Sequence, residues 1–113
     1  DNSPDFGLSI AAYYYWIFPG LMLNFYPWGL SVNIIIPISV NRTRIIFQGF
    51  VGDLAMLGKG AGGDLDKVEA EDQEIVEATH KGVSSGLYHR GRYSPTKEKG
   101  VHHFHMMLTE HTT

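Results

Sequence analysis

Cysteine is absent from the chain, which removes disulfides, thiolate zinc sites, thiolate-held iron–sulfur clusters and a cysteine nucleophile from the chemistry these residues can perform. Any metal taken up here has to use histidine and carboxylate. A large charge of one sign is also lacking. Nine Lys/Arg against twelve Asp/Glu leave a formal net charge of −3, with the basic residues scattered rather than gathered into a stripe, so nucleic acid is not an expected partner. There is no unbroken apolar run of membrane-spanning length. The stretch from Ile10 to Leu30 comes nearest, but Pro19, Gly20, Asn24, Pro27 and Gly29 interrupt it, which fits short strands better than a membrane span. The opening residues show no charged-then-apolar leader pattern, and the chain starts on Asp1 without an initiator Met. The expectation is a piece of a longer polypeptide, without a membrane partner and with a cytoplasmic address.

What is present is globular in character. A chain of 113 residues with 43% hydrophobic and 19% charged residues is at most one domain with a small core, since a chain this short buries only about two thirds of its unfolded surface. Strands come first, over about 11–51. Ala11–Phe18 is aromatic-rich and ends at the turn Pro19-Gly20; Leu21–Tyr26 is closed by Pro27. In Leu30–Val40, a period of two puts Val32, Ile34, Ile36 and Ile38 on one face, and Pro37 suggests an edge position or a bulge. Asn41-Arg42 reads as a hairpin turn, and Thr43–Val51 alternates poorly enough to suggest burial on both faces. Short links between successive strands predict an antiparallel meander.

Residues 52–63 change character, ending in Gly58-Lys59-Gly60-Ala61-Gly62-Gly63. The run lacks the spacing and the following Ser or Thr of a phosphate-binding loop, so it reads as a flexible connector. Asn41-Arg42-Thr43 spells a glycosylation triplet by letters alone and is discounted. Then comes a helix over about 64–84: Asp64 can cap it, acidic residues crowd its first turns and Gly86 follows its end. At about 100° per residue, Leu65, Val68, Asp72, Ile75, Val76, Thr79 and Val83 share one arc, with Asp72 near its middle. A second helix is expected over about 97–109.

Asp72 is therefore the candidate for chemistry. A carboxylate on an apolar stripe is costly unless it is paired, hydrogen-bonded, neutralised or bound to a metal. Periodicity alone favours the structural explanation, a bond to backbone or a pair with Arg90 or Arg92, over metal ligation. His102, His103 and His105 form a second candidate, with an i, i+3 pair that could hold zinc; a packed or solvated stretch is the commoner outcome. Ser84, Ser85 and Ser94 lack a nucleophile context. Tyr88-His89-Arg90-Gly91-Arg92-Tyr93-Ser94 reads as a helix-ending loop with basic side chains to spare.

Three stretches carry a family resemblance. They are Phe18-Pro19-Gly20-Leu21-Met22-Leu23-Asn24-Phe25-Tyr26-Pro27-Trp28 with Val32–Ile38; Glu71-Asp72 with Gly82, Ser85, Tyr88 and Gly91-Arg92-Tyr93-Ser94; and Gly100-Val101-His102-His103-Phe104-His105. Together they resemble the C-terminal part of the catalytic domain of Rieske-type ring-hydroxylating oxygenase alpha subunits, in the choline and carnitine monooxygenase branch. The resemblance implies a mononuclear Fe(II) held by two histidines and one carboxylate, with Asp72 matching that carboxylate. It also implies that the His102–His105 stretch is structural. The family's Asp-x-x-His-x4-His pattern and its Cys-x-His and Cys-x-x-His cluster motifs do not occur in these residues. Both iron histidines and the Rieske [2Fe-2S] cluster would belong to a missing N-terminal part, and the fragment by itself should be inactive.

The fold expected is α+β, part of a helix-grip domain in which an antiparallel sheet wraps a long helix. The implied parent is a mono- or dioxygenase that takes electrons from a ferredoxin or reductase and hydroxylates or demethylates a small organic substrate. Phe25, Phe47 and Phe50 are the candidate pocket residues, and a homo-oligomer, a trimer by analogy, is the expected assembly. The competing reading is a non-enzymatic helix-grip module that binds a ligand in a cavity without iron.

Overall fold

A computed structural model describes residues 2–112. Four strands precede two helices: β1 (Tyr13–Ile17), β2 (Leu21–Tyr26), β3 (Gly29–Ser39), β4 (Arg42–Val51), α1 (Leu65–Ser84) and α2 (Lys99–Thr112). The strands form one antiparallel sheet in the order β1-β2-β3-β4, the meander that short links impose. The architecture is α+β, as the alternation of strand and helix periods requires. The chain divides into two compact units, one running to Leu65 and the other starting at Asp66.

In the sheet unit, register decides which side chains share a face, because directly paired residues point to the same side. Tyr13 pairs with Phe25, Phe25 with Leu30, and Leu30 with Phe50, so these four make one cross-strand row. Trp16, Met22, Asn33 and Phe47 make a row on the opposite face. Pro37 sits at a bulge: it pairs with Thr43 while Ser39 pairs with Arg42, leaving Ile38 out of the ladder. That extra residue moves the hairpin link to Val40-Asn41, one position before the expected turn. β4 is not buried on both faces. All of it except Ile46 is exposed, so neither of its faces is covered by the described residues.

Burial concentrates at the β2–β3 turn. Trp28 and Ser31 are each only 3% exposed and Val32 is 8% exposed, while no other described residue is as deeply covered. Trp28 is held against residues 52–63, which are mostly turns. The Trp28 carbonyl accepts from Gly52 N at 2.8 Å and Asp53 N at 3.0 Å, and the Trp28 indole N–H donates to the Gly62 carbonyl at 3.1 Å. Both ends of the loop thus converge on one residue, the defining feature of an Ω-loop. The Tyr26 ring stacks on Trp28 at 5.4 Å between centroids, and it lies over Gly62, where an added Cβ would come within 2.7 Å of the ring. Gly62 also has φ of +73°, so glycine is required there twice over.

In the helical unit, α2 is prepared by a reciprocal cap. Ser94 N donates to the Glu98 carboxylate at 2.6 Å, and Ser94 Oγ accepts from Lys97 N at 3.2 Å. Tyr93, beside it, has its hydroxyl hydrogen-bonded to His105 Nδ1 and its ring edge-on to His102 at 5.0 Å. The i, i+3 histidine pair of α2 is thereby used in packing against the preceding loop.

Candidate functional site

The site begins with α1, a 20-residue helix whose apolar stripe is where the periodicity put it. None of its residues is buried: Val68, Ile75, Val76 and Val83 on that stripe are all about half exposed or more. Asp72 lies among them, exposed, and among the described residues its carboxylate makes no hydrogen bond or ion pair. The neighbouring charges are used locally along the helix. Lys67 pairs with Glu71 at 3.9 Å, and Gln73 donates to Glu77 at 2.9 Å. The structural explanation of Asp72, a bond to backbone or a pair with Arg90 or Arg92, is not realised among the described residues. Its carboxylate oxygens are left available to a partner from outside.

One other acid on the helix is perturbed. Partial burial, and next the Asp66 charge three residues earlier, raise the Glu69 carboxyl above the ordinary carboxylate range.

A ferrous ion bound by protein side chains alone would need at least three donors. Among the described residues no group of three or more His, Cys, Asp and Glu side chains is close enough to hold a metal. Asp72 fits such an ion as one hard, anionic oxygen donor of a larger set, and the remaining donors are not supplied by these residues. His102 and His105 are engaged with Tyr93, and among the described residues they belong to no group of three or more metal-binding side chains.

The three candidate pocket phenylalanines do not share a surface. Phe25 and Phe50 flank Leu30 in one row and line a shallow hollow with Trp28 and Asp53. Phe47 points to the other side of the sheet, beside Asn33. Its position three residues before Phe50 fixes this, since a strand alternates faces at every residue. Trp28 and Gly62 were not singled out from sequence. The usable signal was a Trp at a two-residue turn and a Gly-rich run long enough to return to it. Tyr93 and Ser94 enter the sequence reading as parts of a loop and of the family resemblance, not as a cap; the signal for the cap is a Ser followed by Glu four positions on.

A four-stranded antiparallel meander and an amphipathic helix with an exposed carboxylate on its apolar stripe give the chain its α+β class. Comparison with known proteins gives the family: residues 4–113 match the ring hydroxylating alpha subunit (catalytic domain), and the chain belongs to that family. It is similar to the chloroplastic choline monooxygenase of Arabidopsis thaliana, 32% identical over 107 residues that cover 89% of this chain and 25% of the relative. The enzymes of the same name from Beta vulgaris and Spinacia oleracea are each 28% identical over 96% of this chain and 26% of their own length. The chain thus spans about a quarter of the curated relatives it matches. No solved structure matches it. Among the described residues no helix is long and apolar enough to cross a membrane.

Proposed function

We propose that the chain is the C-terminal portion of the catalytic domain of a Rieske non-haem iron oxygenase, with Asp72 as the carboxylate ligand of its mononuclear iron. The observation that carries this reading is a carboxylate without an internal partner, set on the apolar stripe of α1, in a chain matched over residues 4–113 by the family of oxygenase alpha subunits. The two supports are largely independent, since one is a helical angle and the other a likeness of sequence.

When bound, ferrous iron held by two histidines and a carboxylate supplies dioxygen chemistry at its open positions. Asp72 contributes one anionic oxygen and part of the charge that balances a divalent ion. No ion pair has to be broken first, so its desolvation is the main cost of its recruitment. A helix is a rigid mount for such a ligand, because rotation about its axis fixes the direction in which the carboxylate projects. The two histidines and the [2Fe-2S] cluster belong to the upstream part of the parent chain. Electrons come from a ferredoxin or reductase, the substrate is a small organic molecule of choline's kind, and the assembly is a homo-oligomer in the cytoplasm. Phe25 and Phe50 supply apolar wall against such a substrate.

The test is Asp72→Ala in the full-length protein, with iron counted against the cluster's visible spectrum. The mononuclear iron is expected to be lost while the cluster spectrum stays intact. Full iron occupancy in that variant would remove Asp72 from the ligand set.

A further inference from the structure

We propose that Asp53 selects for positive charge: the hollow beside the β2–β3 turn takes a small organic cation, with Asp53 as its anionic partner and Phe25 and Phe50 as its walls. This deepens the proposed function by giving its substrate a charge, and it rests on that reading only in taking the bound cation for the substrate.

The hollow lies wholly within the sheet unit and has a volume of about 450 Å³, which is in the range of small-molecule sites. Register makes its apolar part. Phe25 pairs with Leu30 and Leu30 with Phe50, so the three side chains stand next to one another on one face. Phe25 is 40% and Phe50 56% exposed, which leaves ring surface open to a ligand. Among the described residues that line the hollow, Asp53 is the only carboxylate, and no Lys, Arg or His joins it. Aromatic faces are electron-rich and draw a cation, and the carboxylate adds to that attraction; an anion is repelled by both. A neutral molecule of the same shape gains only the apolar contact.

Asp53 is set firmly at this place. Its backbone N–H donates to the carbonyl of the buried Trp28 at 3.0 Å, and its Oδ1 accepts from Ala55 N at 2.9 Å, an Asx-type turn that fixes the direction of the side chain. That bond occupies one carboxylate oxygen, and among the described residues no basic side chain forms an ion pair with the other. The arginines of β4 stand at the opposite end of the strand, where Arg42 begins it and Arg44 pairs with Ile36. At about 3.3 Å per residue, Arg44 lies roughly 23 Å from Val51 along the strand, well beyond one Debye length. The hollow therefore keeps an oriented negative charge that β4 does not neutralise.

The experiment uses the full-length protein without an electron donor, so that nothing turns over. Two probes of one shape are titrated by ligand-observed NMR: choline, and the neutral alcohol that carries a tert-butyl group in place of the trimethylammonium. Asp53→Asn removes the charge and keeps an acceptor for Ala55 N. Phe50→Ala removes a wall at a half-exposed position, where the fold loses little. Wild type is expected to bind choline more tightly than its neutral counterpart. Asp53→Asn should weaken choline about fivefold, the size of one exposed ion pair, and leave the neutral alcohol unchanged. Phe50→Ala should weaken both probes. Wild-type affinity for choline in Asp53→Asn would overturn the inference, as would wild-type affinity for both probes in Phe50→Ala. Equal weakening of the two probes by Asp53→Asn would overturn it as well, since charge would then not be what the residue reads. Retention of iron by Asp72→Ala would instead overturn the ligand assignment and leave the cation affinities standing.

Discussion

At the scale of single residues, the contacts that organise the chain join positions whose roles no local pattern announces. Asp72 was visible early because a carboxylate breaks a helical apolar stripe, and a stripe is a local property. Its lack of a partner is not legible in the sequence, where Arg90 and Arg92 are equally plausible neighbours; in the structure neither pairs with it. Ser94 illustrates the reverse case. Its letters sit in a stretch read as a loop, yet Ser94 and Glu98 satisfy each other's needs at the start of the segment leading into α2. Replacing Ser94 by Ala should cost about 1 kcal/mol of stability, as loss of an N-cap usually does. Chemical denaturation of the full-length protein measures it, and iron content should not move.

At the scale of elements, α1 carries the most specific expectation about pH. Partial burial and the Asp66 charge raise the Glu69 carboxyl in the folded helix, so folding binds its proton more tightly than the unfolded chain does. The stabilisation that follows is fully present below the unfolded carboxylate value and is lost as pH rises through the raised folded one. At neutral pH the charged Glu69 therefore works against the helix. Glu69→Gln should raise the thermal midpoint at pH 7 relative to wild type, and the gain should shrink below about pH 4, where an ordinary carboxylate is protonated in both states. A pH series of thermal melts followed by circular dichroism checks the sign. The strands were legible to within a residue or two, because alternation and Pro/Gly punctuation are local. β4 was the exception. Its apolar run suggests two covered faces, but a face is covered only by what packs on it, and nearly all of β4 is exposed.

At the scale of the whole molecule, the chain leaves much apolar surface uncovered. Tyr14, Ile75, Val76 and Leu87 are all more than half exposed, and no residue of either helix is buried. Surfaces of this kind belong to an interface or to a larger core. The 113-residue chain expressed by itself should bind a hydrophobic dye such as ANS and run as polydisperse aggregates in gel filtration, whereas the full-length protein should leave the dye dark and run as one discrete oligomer. A monomeric, dye-silent fragment would mean that its exposed faces need no cover.

The sequence by itself determined the element types, the meander, the α+β class, the family and the place of Asp72 on an apolar stripe. All of these follow from periodicity, turn chemistry and motif letters, which act over a few residues. Only the tertiary structure decided that Phe25 and Phe50 share one cross-strand row, that the histidines of α2 are engaged by Tyr93, and that the Gly-rich run is a loop stapled by Trp28. Each of those depends on strand register or on a bond between distant residues; Trp28 and Gly62, for example, are 34 positions apart. Contacts at such separations are fixed by where packing brings the chain together, and no local pattern carries that information.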